Sequence, residues 1–162
     1  MWKKIKPYIL PMIVAIILPV TVGTLSAILT RESMAVYSNI NKPTLSPPAI
    51  LFPIVWTVLY ILMGVSSGIV YIKRESASEP ASAGLRTYLS SLVFNFLWSI
   101  IFFNVRSPIA ALVTLLILLY LIIRTVIHYW RVSPTAAILQ LPYALWVTFA
   151  GYLNFSIYLL NR

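Results

Sequence analysis

Five long apolar runs, separated by short polar stretches, account for most of the chain: about residues 8–30, 49–72, 86–105, 108–130 and 135–160. Each holds about the 20 apolar residues that a helix needs to cross a hydrocarbon core roughly 30 Å thick. No ten-residue alternation of apolar and polar positions recurs, so a barrel is not indicated, and open sheet edges cannot face lipid. The pattern predicts an all-α integral membrane protein, a single membrane domain over residues 1–162 built as a bundle of five transmembrane helices. Three of the spans follow a proline pair or a Ser-Pro step: Pro47-Pro48, Ser107-Pro108 and Ser133-Pro134. A proline in the first turn wastes no hydrogen bond, so these positions suit helix entrances. Pro11, Pro19, Pro53 and Pro142 fall inside spans and predict bends, hence gaps between helices.

Two connections are long. Residues 73–85, KRESASEPASAGL, are small, polar and interrupted by proline, which predicts a mobile surface linker. The first loop, Arg31 to Ser46, carries Tyr37 and the stiff KPTLSPP stretch and is expected to act as a lid over one mouth of the bundle. At the N-terminus MWKKIK precedes about twenty apolar residues, longer than the 7–15 of a signal-peptide core, so a retained first span is expected. Basic residues divide unevenly. Lys3, Lys4, Lys6, Lys73, Arg74, Arg86, Arg124 and Arg131 lie on the N-terminal side, eight in all, against four on the other, Arg31, Lys42, Arg106 and Arg162. The positive-inside rule then puts the N-terminus in the cytoplasm and the C-terminus outside, with a bacterial cytoplasmic membrane as the expected location. No internal repeat at a fixed period supports an inverted-repeat transporter.

Composition sharpens this. Of 162 residues, 60% are hydrophobic and 9% charged, with mean hydropathy +0.92, against about 45–50% and about 25% in soluble domains. The net charge of +9 sits beside the apolar runs and forms no tract, so the lipid bilayer is the expected partner and nucleic acid is not. Cysteine is absent, which excludes disulfides, thiolate nucleophiles and zinc-thiolate or iron–sulfur sites. The three acidic residues, Glu32, Glu75 and Glu79, lie in predicted loops, so the buried carboxylate relays of pumps are excluded. The single His128, beside Tyr129, Trp130 and Arg131, lacks a second ligand and reads as an interfacial residue, with Arg124 one turn before it reaching for headgroups. No metal and no resident cofactor are expected.

The tryptophans are what remains. Trp2, Tyr8, Tyr71, Tyr88, Tyr129, Trp130 and Tyr158 fit the aromatic belts of the two interfaces. Trp98 and Trp146 lie about twelve residues into their spans, near mid-membrane at 1.5 Å per residue, where lipid offers an indole N–H no acceptor. They should therefore face inward. Phe52, Trp56 and Tyr60 recur every four residues on the second span; Ser91, Asn95, Trp98, Ser99 and Phe102 share a face on the third, and Tyr143, Trp146, Ala150, Leu153 and Asn154 on the fifth. Such stripes serve as packing or as the walls of a pocket, and Asn95 and Asn154 serve either a ligand or a neighbouring helix. Gly64 and Gly68 form a GxxxG spacing that lets helix backbones approach and suggests a homodimer face. Leu153, Tyr158 and Arg162 fit in outline the L/V-x-Y-x-K/R pattern proposed for cholesterol contact.

Three blocks in order carry a family resemblance. NKPTLSPPAILFPIVWTVLYILMG, YLSSLVFNFLWSIIFF and LPYALWVTFAGYLNFSIYLLN closely resemble segments of the tryptophan-rich sensory protein family, also called the translocator protein or peripheral-type benzodiazepine receptor family. The resemblance covers most of the chain. It implies five transmembrane helices around a cavity closed by the first loop, and a membrane receptor or carrier that binds porphyrins such as protoporphyrin IX, haem and similar lipophilic molecules. By matching position, the resemblance implies a pocket of Tyr37, Pro47, Phe52, Trp56, Tyr60, Asn95, Trp98, Ser99, Phe102, Trp146, Ala150 and Leu153. It also implies an alternative, light-dependent breakdown of bound porphyrin, with Trp56 and Trp146 as the participating residues. The cholesterol pattern is displaced from the family's usual run, which puts cholesterol binding in doubt. Arg31, Asn39, Asn41 and Lys42, on the loop side, are the candidates to meet tetrapyrrole carboxylates.

Overall fold

The computed structural model describes the backbone of residues 2–37 and 40–161 and the side chains of residues 8–33 and 40–161. The chain forms five helices, α1 (Trp2–Tyr37), α2 (Leu51–Ile72), α3 (Ser78–Ser99), α4 (Pro108–Trp130) and α5 (Pro134–Leu160), with no strand among the described residues. All five are long and apolar enough to span a membrane, so this is an integral membrane protein. Around the bundle the neighbours run α1, α2, α5, α4, α3 and back to α1. A ring of this order leaves α2, α3 and α5 facing one another across the interior.

Several local signals set the helix ends. Pro108 opens α4 behind Ser107, whose Oγ accepts from the Ala110 N–H at 3.4 Å. Pro134 likewise opens α5, but Ser133 makes no cap and instead receives the Lys73 ammonium at 3.3 Å. Pro53 is only the third residue of α2, inside the turn whose N–H groups have no helical acceptor, so it forces no bend there. Pro142 alone interrupts the interior of α5.

The linker expected over residues 73–85 is mostly helix. Only Lys73 to Ala77 connect α2 and α3, which starts at Ser78. Glu79 and Pro80 occupy its first turn, where a carboxylate favours the positive end of the helix dipole and a proline costs nothing. The first loop is also shorter than its sequence suggests, because α1 continues to Tyr37. Its described part, residues 40–50, is pinned to the far end of α5. Asn161 Nδ2 donates to the Asn41 carbonyl at 2.9 Å, and the Asn41 N–H donates to Asn161 Oδ1 at 3.1 Å.

The α3 helix runs into a π-helical segment, Ile100–Val105, which ends on Arg106 in the left-handed conformation with φ 57°. A π segment widens the turn, and Asn104 fixes it to α1 by donating to the Leu29 carbonyl at 3.1 Å. The wider turn changes which residues share a face. Phe102 stacks on Trp98 with ring centroids 5.7 Å apart, and Phe103, five residues on, meets the same indole edge-on at 6.3 Å.

Two further expectations change. Gly64 and Gly68 are buried inside the chain against α1, where a Cβ on Gly64 would lie 2.5 Å from Ile16 Cα and one on Gly68 2.6 Å from Met12 Sδ. They seat α1 on α2 and are not exposed to a second copy. Tyr88 and Tyr129, assigned to an interfacial belt, are instead fully buried, with ring centroids 6.4 Å apart, and Gly84 leaves room for Tyr129.

Candidate functional site

Aromatic rings from α2, α3 and α5 meet in one continuous cluster near the first-loop end. On α2, Trp56 stacks on Tyr60 at 5.3 Å, contacts Trp98 at 6.3 Å and meets Tyr143 edge-on at 6.2 Å. Phe52 meets Trp146 edge-on at 5.9 Å. Edge and offset contacts at these spacings are the arrangements the ring quadrupole favours. Gly23 of α1 lies flat against the Tyr60 ring and leaves no room there for a side chain.

The base of the cluster is polar and closed. Tyr60 Oη donates to Asn95 Oδ1 at 2.9 Å, and Asn95 Nδ2 donates to Tyr143 Oη at 3.2 Å. All three side chains are buried, so Asn95 ties α2, α3 and α5 together and its amide is consumed in doing so. Ser99 donates to the Asn95 carbonyl at 3.5 Å.

Above this base lies a cavity of about 170 Å³, walled by Lys42, Ala49, Phe52, Trp98, Phe102, Phe103, Ala150, Leu153, Asn154 and Ile157. A smaller void of about 80 Å³ adjoins it across Phe102, Phe103 and Ile157, with Ser33, Ile40 and Arg106 on its far wall. Two buried polar atoms belong to the residues of the larger cavity and have no hydrogen-bond partner among the described residues, Trp98 Nε1 and Asn154 Oδ1. Leaving such groups unpaired costs about 1–3 kcal/mol each. On the outer side of Phe52, Trp146 lines an open groove of about 460 Å³ between α2 and α5, together with Leu59, Leu62, Pro142 and Phe149. The Phe52–Trp146 contact thus stands between that lateral groove and the inner cavity. A third groove, about 470 Å³, lies toward the opposite end between α1, α2 and α3, beside Leu10, Val14, Tyr71 and Tyr88, and holds no tryptophan.

Of the residues nominated from the sequence, Phe52, Trp98, Phe102, Ala150 and Leu153 wall the cavity. Trp56 stands one ring behind Trp98, and Trp146 one ring behind Phe52. Tyr60, Asn95 and Ser99 belong to the base; Pro47 lies in the loop and does not line the cavity, and the side chain of Tyr37 lies outside the described residues. Among the loop-side groups, Lys42 reaches the cavity wall, Asn41 is engaged with Asn161, Asn39 lies outside the described residues, and Arg31 is exposed with Glu32 at 3.8 Å. Ala49, Phe103, Ile157 and Arg106 were not anticipated. Ile157 continues the helical repeat of Ala150, Leu153 and Asn154 and was readable from spacing; Phe103 and Arg106 depend on the π segment, which a 3.6-residue period does not reveal.

The TspO/MBR family matches residues 15–160 of the chain. A tryptophan-rich protein TspO from Archaeoglobus fulgidus is 37% identical over 154 residues, covering 94% of this chain and 98% of the relative. Its counterpart of the same name from Chlorobaculum tepidum is 40% identical over 125 residues, 77% of this chain and 78% of the relative. The human translocator protein is 34% identical over 127 residues, covering 78% and 75%. The match therefore spans all five helices and every residue that walls the cavity, and the chain belongs to the TspO/MBR family.

Proposed function

We propose that this protein is a membrane receptor or carrier for flat lipophilic molecules of the tetrapyrrole kind, protoporphyrin IX or haem, taken into the aromatic cavity between α2, α3 and α5. The observation that carries the reading is a cavity inside the bundle walled by Phe52, Trp98, Phe102 and Phe103 and covered by a loop that the Asn41–Asn161 pair holds against α5. Ligand pockets of about 300–1,000 Å³ are usual, so 170 Å³ requires that a large guest move its walls. The Phe102–Phe103 partition toward the smaller void and the Phe52–Trp146 partition toward the lateral groove are the walls available. An apolar ring system then arrives from the bilayer side, where it is already dissolved, and its carboxylates turn toward Lys42 and Arg106 at the loop end. The eight-to-four distribution of basic residues supports an N-terminus on the cytoplasmic side.

The test is an absorbance and tryptophan-fluorescence titration of the purified protein in detergent with protoporphyrin IX, in the dark. Saturable binding that Ala150→Phe weakens by about tenfold or more is expected, because the added ring fills a cavity wall that is nearly closed to solvent. Absence of saturable binding, or binding that Ala150→Phe leaves unchanged, overturns the reading. A second reading, light-driven oxidation of the bound tetrapyrrole with dissolved dioxygen as the electron acceptor, is favoured by the unbroken ring contacts from Trp56 to Trp98 and from Trp146 to Phe52. On that reading illumination bleaches the complex, and Trp56→Phe with Trp146→Phe binds normally in the dark but does not bleach.

A further inference from the structure

We propose that Arg124 and His128, on the outer face of α4, together seat the phosphate of an anionic phospholipid, and that the ring proton of His128 passes to Nε2 when the lipid binds. The site lies at the end of the bundle opposite the aromatic cavity and does not depend on that cavity holding a ligand.

Tyr120, Arg124 and His128 recur every four residues along α4 and form one stripe. The stripe faces lipid. Tyr120, Arg124 and the flanking Ile123 and Ile127 are exposed, whereas Ile122 and Tyr129 on the other side of the helix are buried in the bundle. Arg124 stands six residues before Trp130, about 9 Å inward of the helix end. An arginine that only snorkels would extend toward that end and into water. This guanidinium is held along the stripe instead. Its Nη1 donates to Tyr120 Oη, one turn deeper, at 3.4 Å, and its Nη2 lies 3.5 Å from His128 Nε2. Both contacts are long beside the roughly 2.7–2.9 Å of a guanidinium on an anionic oxygen. Arg124 makes no ion pair among the described residues. A cation on a lipid-facing surface without a counter-charge is costly, and the bilayer itself carries a suitable anion.

The contact with Arg124 also fixes the histidine. A guanidinium has donors only, so Nε2 must accept, which leaves the ring proton on Nδ1. Nδ1 is buried and has no hydrogen-bond partner among the described residues, so the ring spends its lone pair on Arg124 and hides its donor. A phosphate at the stripe reverses this arrangement. Its oxygens take the Arg124 N–H groups and offer Nε2 an acceptor; Nδ1 then releases its proton, Nε2 gains one, and the charge of the ring is unchanged. The other charged groups acting on the ring are Arg131 of α4 and Glu79 of α3. Against Glu75 and Glu79, this end of the bundle gathers Lys73, Arg74, Arg86 and Arg131. That excess favours an anionic headgroup and repels the choline of a zwitterionic one.

The chain has a single histidine, so nitrogen-15-labelled histidine, in protein purified through a histidine-free tag, reports His128 alone. The protein in nonionic maltoside micelles at about pH 7.5 is titrated with phosphatidylglycerol, with phosphatidylcholine, and with glycerophosphoglycerol, which is the first headgroup without acyl chains. Without lipid, the imidazole signals should be those of a bare Nε2 and a protonated Nδ1. Phosphatidylglycerol should convert them saturably to a proton-bearing Nε2, binding at least about tenfold tighter than either other probe. Arg124→Gln should weaken the response by about tenfold or abolish it, whereas Arg74→Gln, which removes an exposed cation at the same end, should change it by less than about twofold. A proton already on Nε2 in lipid-free micelles overturns the proposal, as does a response no stronger to phosphatidylglycerol than to phosphatidylcholine. Equal weakening by Arg74→Gln and Arg124→Gln overturns it by showing diffuse attraction to a charged surface, and equally tight glycerophosphoglycerol overturns it by showing a soluble phosphate as the ligand. Should Arg124→Gln fail to fold, the comparison of the two lipids on the unaltered chain decides.

Discussion

At the scale of single residues, the most informative side chain is Asn95, because its fate was undecided by sequence. The helical repeat placed it on the same face as Trp98, where an amide serves a ligand or a neighbouring helix equally well. Burial with Tyr60 and Tyr143 decides for the helices: both ends of the amide are occupied at 2.9 and 3.2 Å. Interhelical hydrogen bonds in membranes average only about 0.6 kcal/mol, yet orphaning two buried hydroxyls is costlier than losing the bonds themselves. Asn95→Leu is therefore expected to lower stability by about 1–3 kcal/mol. Adding Tyr60→Phe and Tyr143→Phe should recover most of the loss, since no polar group is then left without a partner. Denaturation by SDS in mixed micelles, followed by far-UV circular dichroism, measures both. A triple variant less stable than Asn95→Leu alone would show that the hydroxyls find other partners. Spacing showed which residues share a face with Asn95; it could not show that two tyrosines from other helices would reach it.

At the scale of elements, the sequence was most legible where chemistry is local. Ser-Pro steps marked the start of α4 and α5 to within a residue, because a proline at the first turn acts on its own backbone, joined at α4 by the Ser107 cap. It was least legible where the outcome depends on a second element. Residues 78–85 carry the composition of a linker, yet they are helical and packed at Ala81 and Gly84 against the rest of the bundle. Gly64 and Gly68 advertise close backbone approach without saying to which helix, and α1 of the same chain takes the place. The loop over the cavity is a similar case. Asn41 and Asn161 lie 120 residues apart and exchange two hydrogen bonds that close the loop against α5 beside Ile157, a cavity wall. Each such bond stabilises by about 0.5–1.5 kcal/mol. Asn161→Ala should therefore accelerate protoporphyrin release by about tenfold, read in stopped-flow fluorescence, with a smaller effect on helicity. An unchanged release rate would mean that the guest leaves by another route, such as the groove beside Trp146.

At the scale of the whole molecule, the bundle has two unlike ends. The first-loop end gathers the aromatic cavity, Lys42 and Arg106; the other gathers Lys73, Arg74, Arg86, Arg124 and Arg131, with the buried Tyr88–Tyr129 pair beneath. This asymmetry gives the molecule a direction. If the basic end faces the cytoplasm, the cavity mouth faces away from it, and charged groups of a guest meet Lys42 and Arg106 on the outer side. The absence of cysteine makes the direction measurable, because any thiol introduced is the only one present. Leu45 in the first loop is 68% exposed, and Ser76, between α2 and α3, is exposed at the opposite end. In intact cells a membrane-impermeant maleimide should label Leu45→Cys and spare Ser76→Cys, and permeabilisation should make both react. The reverse pattern would turn the molecule over and open the cavity toward the cytoplasm. The positive-inside count would then have been outweighed by some feature other than the loop charges, and guests would be exchanged with the cell interior instead of the exterior.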